Sequence, residues 1–124
     1  MDIMTGYRAG IFDDEANIGW LRHGWRALRL YGRQARAAIE AGDLVTKAKM
    51  IAKADDLLNV MTGIVDTAEG TTLGPALLTI YTALRHTLLR ANLDNDISAL
   101  ADYEAALGLL DRDMIKSSEH ARDT

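Results

Sequence analysis

The sequence predicts an all-α protein: an antiparallel up-down-up-down four-helix bundle preceded by a flexible N-terminal strap. Two observations carry that prediction. Apolar residues recur at steps of three and four through successive segments, the spacing that gathers side chains on one helix face. The joints between those segments are too short for anything except antiparallel hairpins. The chain also holds a single proline among its 124 residues, so little interrupts helix formation.

The first segment runs from about Glu15 to Ala41, with Asp13 or Asp14 as N-cap. Ile18, Leu21, Trp25, Leu28, Ala35 and Ile39 form its apolar seam, with Gly32 at the missing step. Gly42 closes it in the usual left-handed position. The second segment is expected from about Asp43 to Thr67. Leu44, Ile51, Leu58 and Val65 recur at heptad spacing, and Leu57, Val60 and Ile64 widen the face. Residues 68–72 read as a turn, and Pro75 sits in the first turn of the third segment, where its missing N–H costs nothing.

The third segment is the most informative. Leu77, Ile80 or Tyr81, Leu84, Leu88 and Ala91 share one face, and the run Asn92 to Asp96 stops the helix and supplies an N-cap for the next. The fourth segment shows Leu100, Tyr103, Leu107, Leu110 and Met114 in the same progression. Residues 117–124 are expected to fray, and residues 1–12, with Gly6 and Gly10 among scattered apolar side chains, suit a strap. The whole reads as one domain, residues 1–124, able to bury a core without metal or disulfide support.

Hydrophobic residues make up 48% and charged residues 26% of the chain, an ordinary globular balance. There are no cysteines, which removes disulfides, thiol nucleophiles and thiolate zinc sites. No apolar run approaches the roughly 18 residues of a membrane span. The N-terminus lacks the basic-then-apolar order of a secretory signal, so a cytoplasmic protein without membrane insertion is expected. His23, His86 and His120 share no ligand spacing, and the pairs Asp13-Asp14 and Asp55-Asp56 diverge around a helix. Neither catalysis, nor a metal, nor a cofactor is expected.

Arg22, Arg26, Arg29, Arg33 and Arg36 make one positive line along the first helix. Such a line can bind phosphate. The net charge of −4 and the lack of a recognition motif argue against nucleic acid. Pairing with Asp102, Glu104, Asp111 and Asp113 on the neighbouring fourth helix is the preferred reading.

The third helix, with Tyr81, Leu84, Leu88, Ala91, Asn92, Asn95 and Asp96 at fixed offsets, resembles the FliS family of bacterial flagellar secretion chaperones. The resemblance extends to Gln34–Asp43, to Lys49–Ala54 with Leu57-Leu58, and to Tyr103–Leu110. Tyr7 stands at the family's tyrosine spacing from Asp43. The chain departs from the family early in the first helix: Asp13-Asp14-Glu15-Ala16 replaces a Ser-Pro start, and Arg26 stands where an aspartate is usual. Membership as a divergent relative implies a protein that binds the C-terminal segment of flagellin, prevents its premature polymerisation and helps deliver it to the flagellar type III export apparatus.

The expected client contacts are Leu57, Met61 and Ile64 with Leu78, Tyr81, Leu84, Arg85, Leu88 and Asn92; Tyr7 is the expected docking residue for the export apparatus. Tyr81, Leu78, Arg85 and Asn92 are expected to project beyond the narrow core seam. Met50, Leu57, Ile64, Leu78, Tyr81 and Leu89 exceed what one stripe per helix requires. A fuller core or a homodimer interface is the other use of such residues, and the resemblance tips the reading toward a client groove. The alternative function is a bundle adaptor or homodimeric structural protein with another client.

Overall fold

A computed structural model describes the backbone over residues 15–65 and 73–123, and side chains over 19–65 and 74–113. Four helices follow in order: α1 Glu15–Ala41, α2 Leu44–Gly63, α3 Leu73–Asp94 and α4 Ile97–Asp123. Each packs on its chain neighbours and α1 closes the ring against α4, while no diagonal pair packs as closely. This is the expected bundle. The strap at residues 1–12, with Tyr7, and the turn at 68–72 lie outside the described residues.

The two turns at one end of the bundle share a plan. Gly42 adopts φ +74, and the Asp43 N–H reaches back to the Ala38 carbonyl at 2.8 Å, satisfying an orphan carbonyl at the helix end. Asp43 then caps α2, its carboxylate accepting from the Thr46 N–H at 3.0 Å and the Thr46 hydroxyl at 2.6 Å. At the second turn Asn95 takes φ 52, the Asp96 N–H bonds the Ala91 carbonyl at 3.3 Å, and Asp96 accepts from the Ala99 N–H at 3.1 Å. Asparagine tolerates the left-handed region better than most residues. Lys47 joins the two turns: its Nζ donates to the Asn92 carbonyl at 2.9 Å and to Asn95 Oδ1 at 2.6 Å. A cation at the C-terminal end of α3 also meets the negative end of the helix dipole.

Leu21, Trp25, Leu28 and Ala35 of α1 meet Ile51, Ala54, Leu58 and Met61 of α2 in a single core. Leu77, Tyr81, Leu84, Leu88 and Ala91 of α3 and Leu100, Tyr103 and Leu107 of α4 complete it. At the alternative left open in α3, Tyr81 is the buried residue and Ile80 only packs against the core. Trp25 is wholly buried, and its Nε1–H donates to Tyr81 Oη at 3.0 Å across the bundle diagonal. Tyr103 Oη donates to the Leu28 carbonyl at 2.9 Å. All three aromatic polar atoms named here are therefore partnered inside the core, where an unpartnered one would cost about 1–3 kcal/mol. Burial raises the Tyr81 phenol to about 12, with the Trp25 N–H pulling the other way. Burial, then the neighbouring Glu104 charge, pushes Tyr103 up as well.

Gly32 lets α1 and α4 close up, since a Cβ there would lie 2.7 Å from the Tyr103 ring. Gly24 does the same for α2, with Met61 Cε 2.7 Å from such a Cβ.

Three local expectations are corrected. α2 ends at Gly63 rather than Thr67, where a glycine followed by β-branched Ile64 and Val65 weakens helix propensity; both branched residues remain buried in the core. Leu44, placed on the apolar seam, is half exposed because α2 starts there, beyond the last core layer. Lys47 takes the next seam position, with its stem buried and its ammonium on α3. Val60 is exposed rather than widening the buried face.

Two outcomes are expected of the fold. Leu58→Ala should lower the unfolding free energy by about 2–5 kcal/mol in denaturant titration; an unchanged midpoint would contradict the core described. The Thr46 hydroxyl, then the Thr46 N–H, hold the Asp43 carboxyl below its ordinary value of 3.8. A depressed folded-state pKa stabilises above the unfolded value and ceases to do so as pH falls through the folded one. Asp43→Ala should therefore destabilise most well above pH 3.8 and least in strong acid; an equal loss at both pH values would remove the carboxylate from the cap's energetics.

Candidate functional site

α1 lies close along both α2 and α4, whereas α3 packs more loosely against its neighbours. A groove of about 450 Å³ opens between α2 and α3. On the α2 side it is lined by Ala48, Ile51, Ala52 and Asp55; on the α3 side by Thr82, Arg85, His86, Leu88, Leu89 and Asn92. The residues on each wall recur at steps of three and four, so one stripe of each helix faces the groove. The concavity comes from the alanines. Ala48 and Ala52 are exposed and short, while Leu89 remains 57% exposed on the opposite wall. Ile51 and Leu88 form a buried apolar floor.

One polar bridge joins the walls: Arg85 Nε donates to Asp55 Oδ1 at 2.9 Å. Both side chains are about two-fifths exposed, 42% and 39%, so the pair is screened and contributes only about 0–1 kcal/mol. It can open at little cost. An amphipathic helix laid in such a groove would bury its apolar face on Leu88 and Leu89 and meet polar groups at the rim.

The structure brings together part of the expected contact set. Arg85, Leu88 and Asn92 line the groove. Met61, Ile64, Tyr81 and Leu84 are buried in the bundle core, and Leu57 and Leu78 are partly buried against it. Tyr81 does not project beyond the seam: its ring is wholly buried and its hydroxyl is taken by Trp25. Ala48, Ala52, Asp55, Thr82 and His86 were not anticipated at the groove. On α3, Thr82 and His86 share a helix stripe with the expected Arg85 and Asn92; on α2, Ala48, Ala52 and Asp55 face away from the expected Leu57, Met61 and Ile64 and carry no such signal.

At the turn end, Leu44, Val45, Leu93 and Ile97 expose apolar side chains. Val45 continues the Ala48–Ala52 stripe, and Leu93 the His86–Leu89 stripe, so the apolar walls extend past the groove toward that end. Among the described residues no cluster of histidines and carboxylates could hold a metal ion, and no helix is long and apolar enough to cross a membrane.

No curated protein matches the chain. The family described as flagellar protein FliS has a sequence model that matches residues 26–112. That span takes in most of α1, all of α2 and α3, and α4 as far as Arg112, more than half of the chain. With the groove and the four-helix frame, it identifies the chain as a member of the FliS family of flagellar proteins.

Proposed function

We propose that this chain, a member of a family of flagellin export chaperones, binds the C-terminal segment of flagellin in the cytoplasm, with the α2–α3 groove as its principal seat. On this reading the chaperone keeps the segment from polymerising and helps hand it to the type III export apparatus, without catalysis or cofactor. The observation that carries the proposal is the groove itself: an apolar trough with a weak ionic rim, on a bundle whose core is already complete without it. Flagellin's terminal segment would fold as an amphipathic helix on binding, with groove contacts offsetting its ordering entropy. Leu88, Leu89, Arg85 and Asn92 are the proposed direct contacts. The core residues Met61, Ile64, Tyr81 and Leu84, and Leu57 and Leu78 beside them, would act by holding α2 and α3 in place.

Leu89→Glu tests the groove without disturbing the core, since Leu89 is already 57% exposed. Flagellin should no longer co-purify while the helical spectrum and melting temperature stay unchanged, because a charged group would replace the apolar wall that the client's apolar face has to cover. Retention of flagellin by the folded variant would move the site elsewhere. If the variant instead shifts the free protein from dimer to monomer in sedimentation, the groove is a self-association face and the homodimer reading replaces this one.

The proposal extends to residues 1–12, on the strength of their apolar composition and the spacing of Tyr7. They would cover the groove in the free chain, with Tyr7 presenting the loaded complex to the export apparatus. Covering lowers apparent affinity by the fraction of chains with the groove open. Deletion of residues 1–12 should preserve or tighten flagellin binding and weaken docking to the export apparatus. A folded deletion variant that loses flagellin would make this segment a contact and not a cover.

A further inference from the structure

The arginine line of α1 meets α4 along a second seam. Arg22 pairs with Asp111 at 2.7 Å and Arg26 reaches the same carboxylate at 3.9 Å. Arg33 and Arg36 both pair with Glu104 at 3.2 Å. Arg22, Arg29 and Arg36 are seven residues apart on α1, and Asp111, Gly108 and Glu104 step by three and four on α4. The pattern is a ladder of guanidinium–carboxylate rungs with its middle acid missing. At that rung the Arg29 guanidinium lies over Gly108, its Cζ 3.5 Å from where a Cβ would stand. Arg29 Nε is buried and has no hydrogen-bond partner among the described residues.

Among the described residues, the other acidic side chains of α4 do not fill the gap. Asp102 and Asp113 are each two positions from a rung residue, which turns them roughly 200° around the helix, away from α1. Both are exposed, and no ion pair joins either to α1 among the described residues. Five guanidinium groups thus face two carboxylates. Leu30, 48% exposed, lies between Arg26 and Arg33 at steps of four and three.

We infer that this seam is a docking site for an acidic segment of a partner protein, with a partner carboxylate entering over Gly108 to complete the Arg29 rung. Arg26 and Arg33 flank the carboxylate, and Leu30 receives an apolar side chain beside it. Arginine suits the role because its planar fork binds carboxylates through paired donors. The occupant is a short acidic peptide and not a nucleic acid for two reasons. The ends of the arginine line are already occupied by Asp111 and Glu104, which leaves roughly 10 Å of helix between Arg26 and Arg33, too short to follow a phosphate backbone. Leu30, exposed beside the arginines, also suits an apolar peptide side chain, which a phosphate backbone does not offer. The seam lies on the α1–α4 side, whereas the groove lies between α2 and α3, so it is independent of the flagellin reading.

Gly108→Asp and Gly108→Ala test the inference on the full chain. Both replace a mid-helix glycine with a better helix former, at a position where an added Cβ makes only ordinary contacts. Only the aspartate supplies the missing acid internally. The probe is a short amphipathic peptide with glutamates on one face and a leucine between them, titrated by calorimetry and by amide chemical shifts; a short DNA duplex and inorganic phosphate are the other arms. The peptide should bind the parent chain and Gly108→Ala alike, shift the amides around Arg29 and Gly108, and bind Gly108→Asp weaker by on the order of tenfold. Equal peptide affinity for the two variants, or shifts confined to α2 and α3, would overturn the inference. Preferential binding of the duplex or of phosphate at the seam would overturn it too, in favour of a phosphate ligand.

Discussion

The hydrogen bond between Trp25 and Tyr81 sets the geometry on which the rest of the bundle depends. Trp25 is among the largest fully buried side chains, and Tyr81 meets it from the diagonally opposite helix. Each brings a polar atom into a dry interior, and each relieves the other. The pairing fixes the rotation of α3 about its own axis, because a one-residue turn would swing Tyr81 through about 100° and leave the indole N–H stranded. That same rotation puts Leu88 on the floor of the groove and leaves Leu89, Arg85 and His86 on its wall. The outer face of α3 is a consequence of its inner one.

Small residues then decide where the bundle is tight and where it is open. Gly24 and Gly32 let α1 approach Met61 and Tyr103, which closes the space between those helices. Ala48 and Ala52 have the opposite effect. They sit on an outward stripe of α2 facing the loosely packed α3, where a short side chain leaves space instead of closing it. Truncation toward a close neighbour gives contact, and truncation toward a distant one gives concavity.

This explains which parts were legible in the sequence. Heptad spacing reports burial against neighbours, so the bundle, the extent of α1 and the common burial of Leu28, Leu58, Leu84 and Leu107 follow from it. The pairing of the arginine line with Glu104 and Asp111 follows from charge and helix order. Periodicity does not report which apolar residue of a broad face turns inward, which is why Tyr81 and Met61 looked available for a client. Nor does it mark alanines as the lining of a groove, or a mid-helix glycine as a missing acid. Lys47 ran against composition outright, since a lysine at a seam position is buried only when a partner such as the end of α3 waits for it.

The lysine also has a bearing on how the chain reaches its fold. Within each hairpin the contacts bridge a turn of only a few residues, so they form at small cost in loop entropy and favour rapid assembly. Lys47 and Asn95 are 48 residues apart in sequence and lie at the open end of the α2–α3 hairpin, farthest from its turn. Their bond closes a longer loop than the contacts beside that turn, and so costs more chain entropy to form. It fixes the spacing of α2 from α3 at the end opposite their connection, and with it one end of the groove.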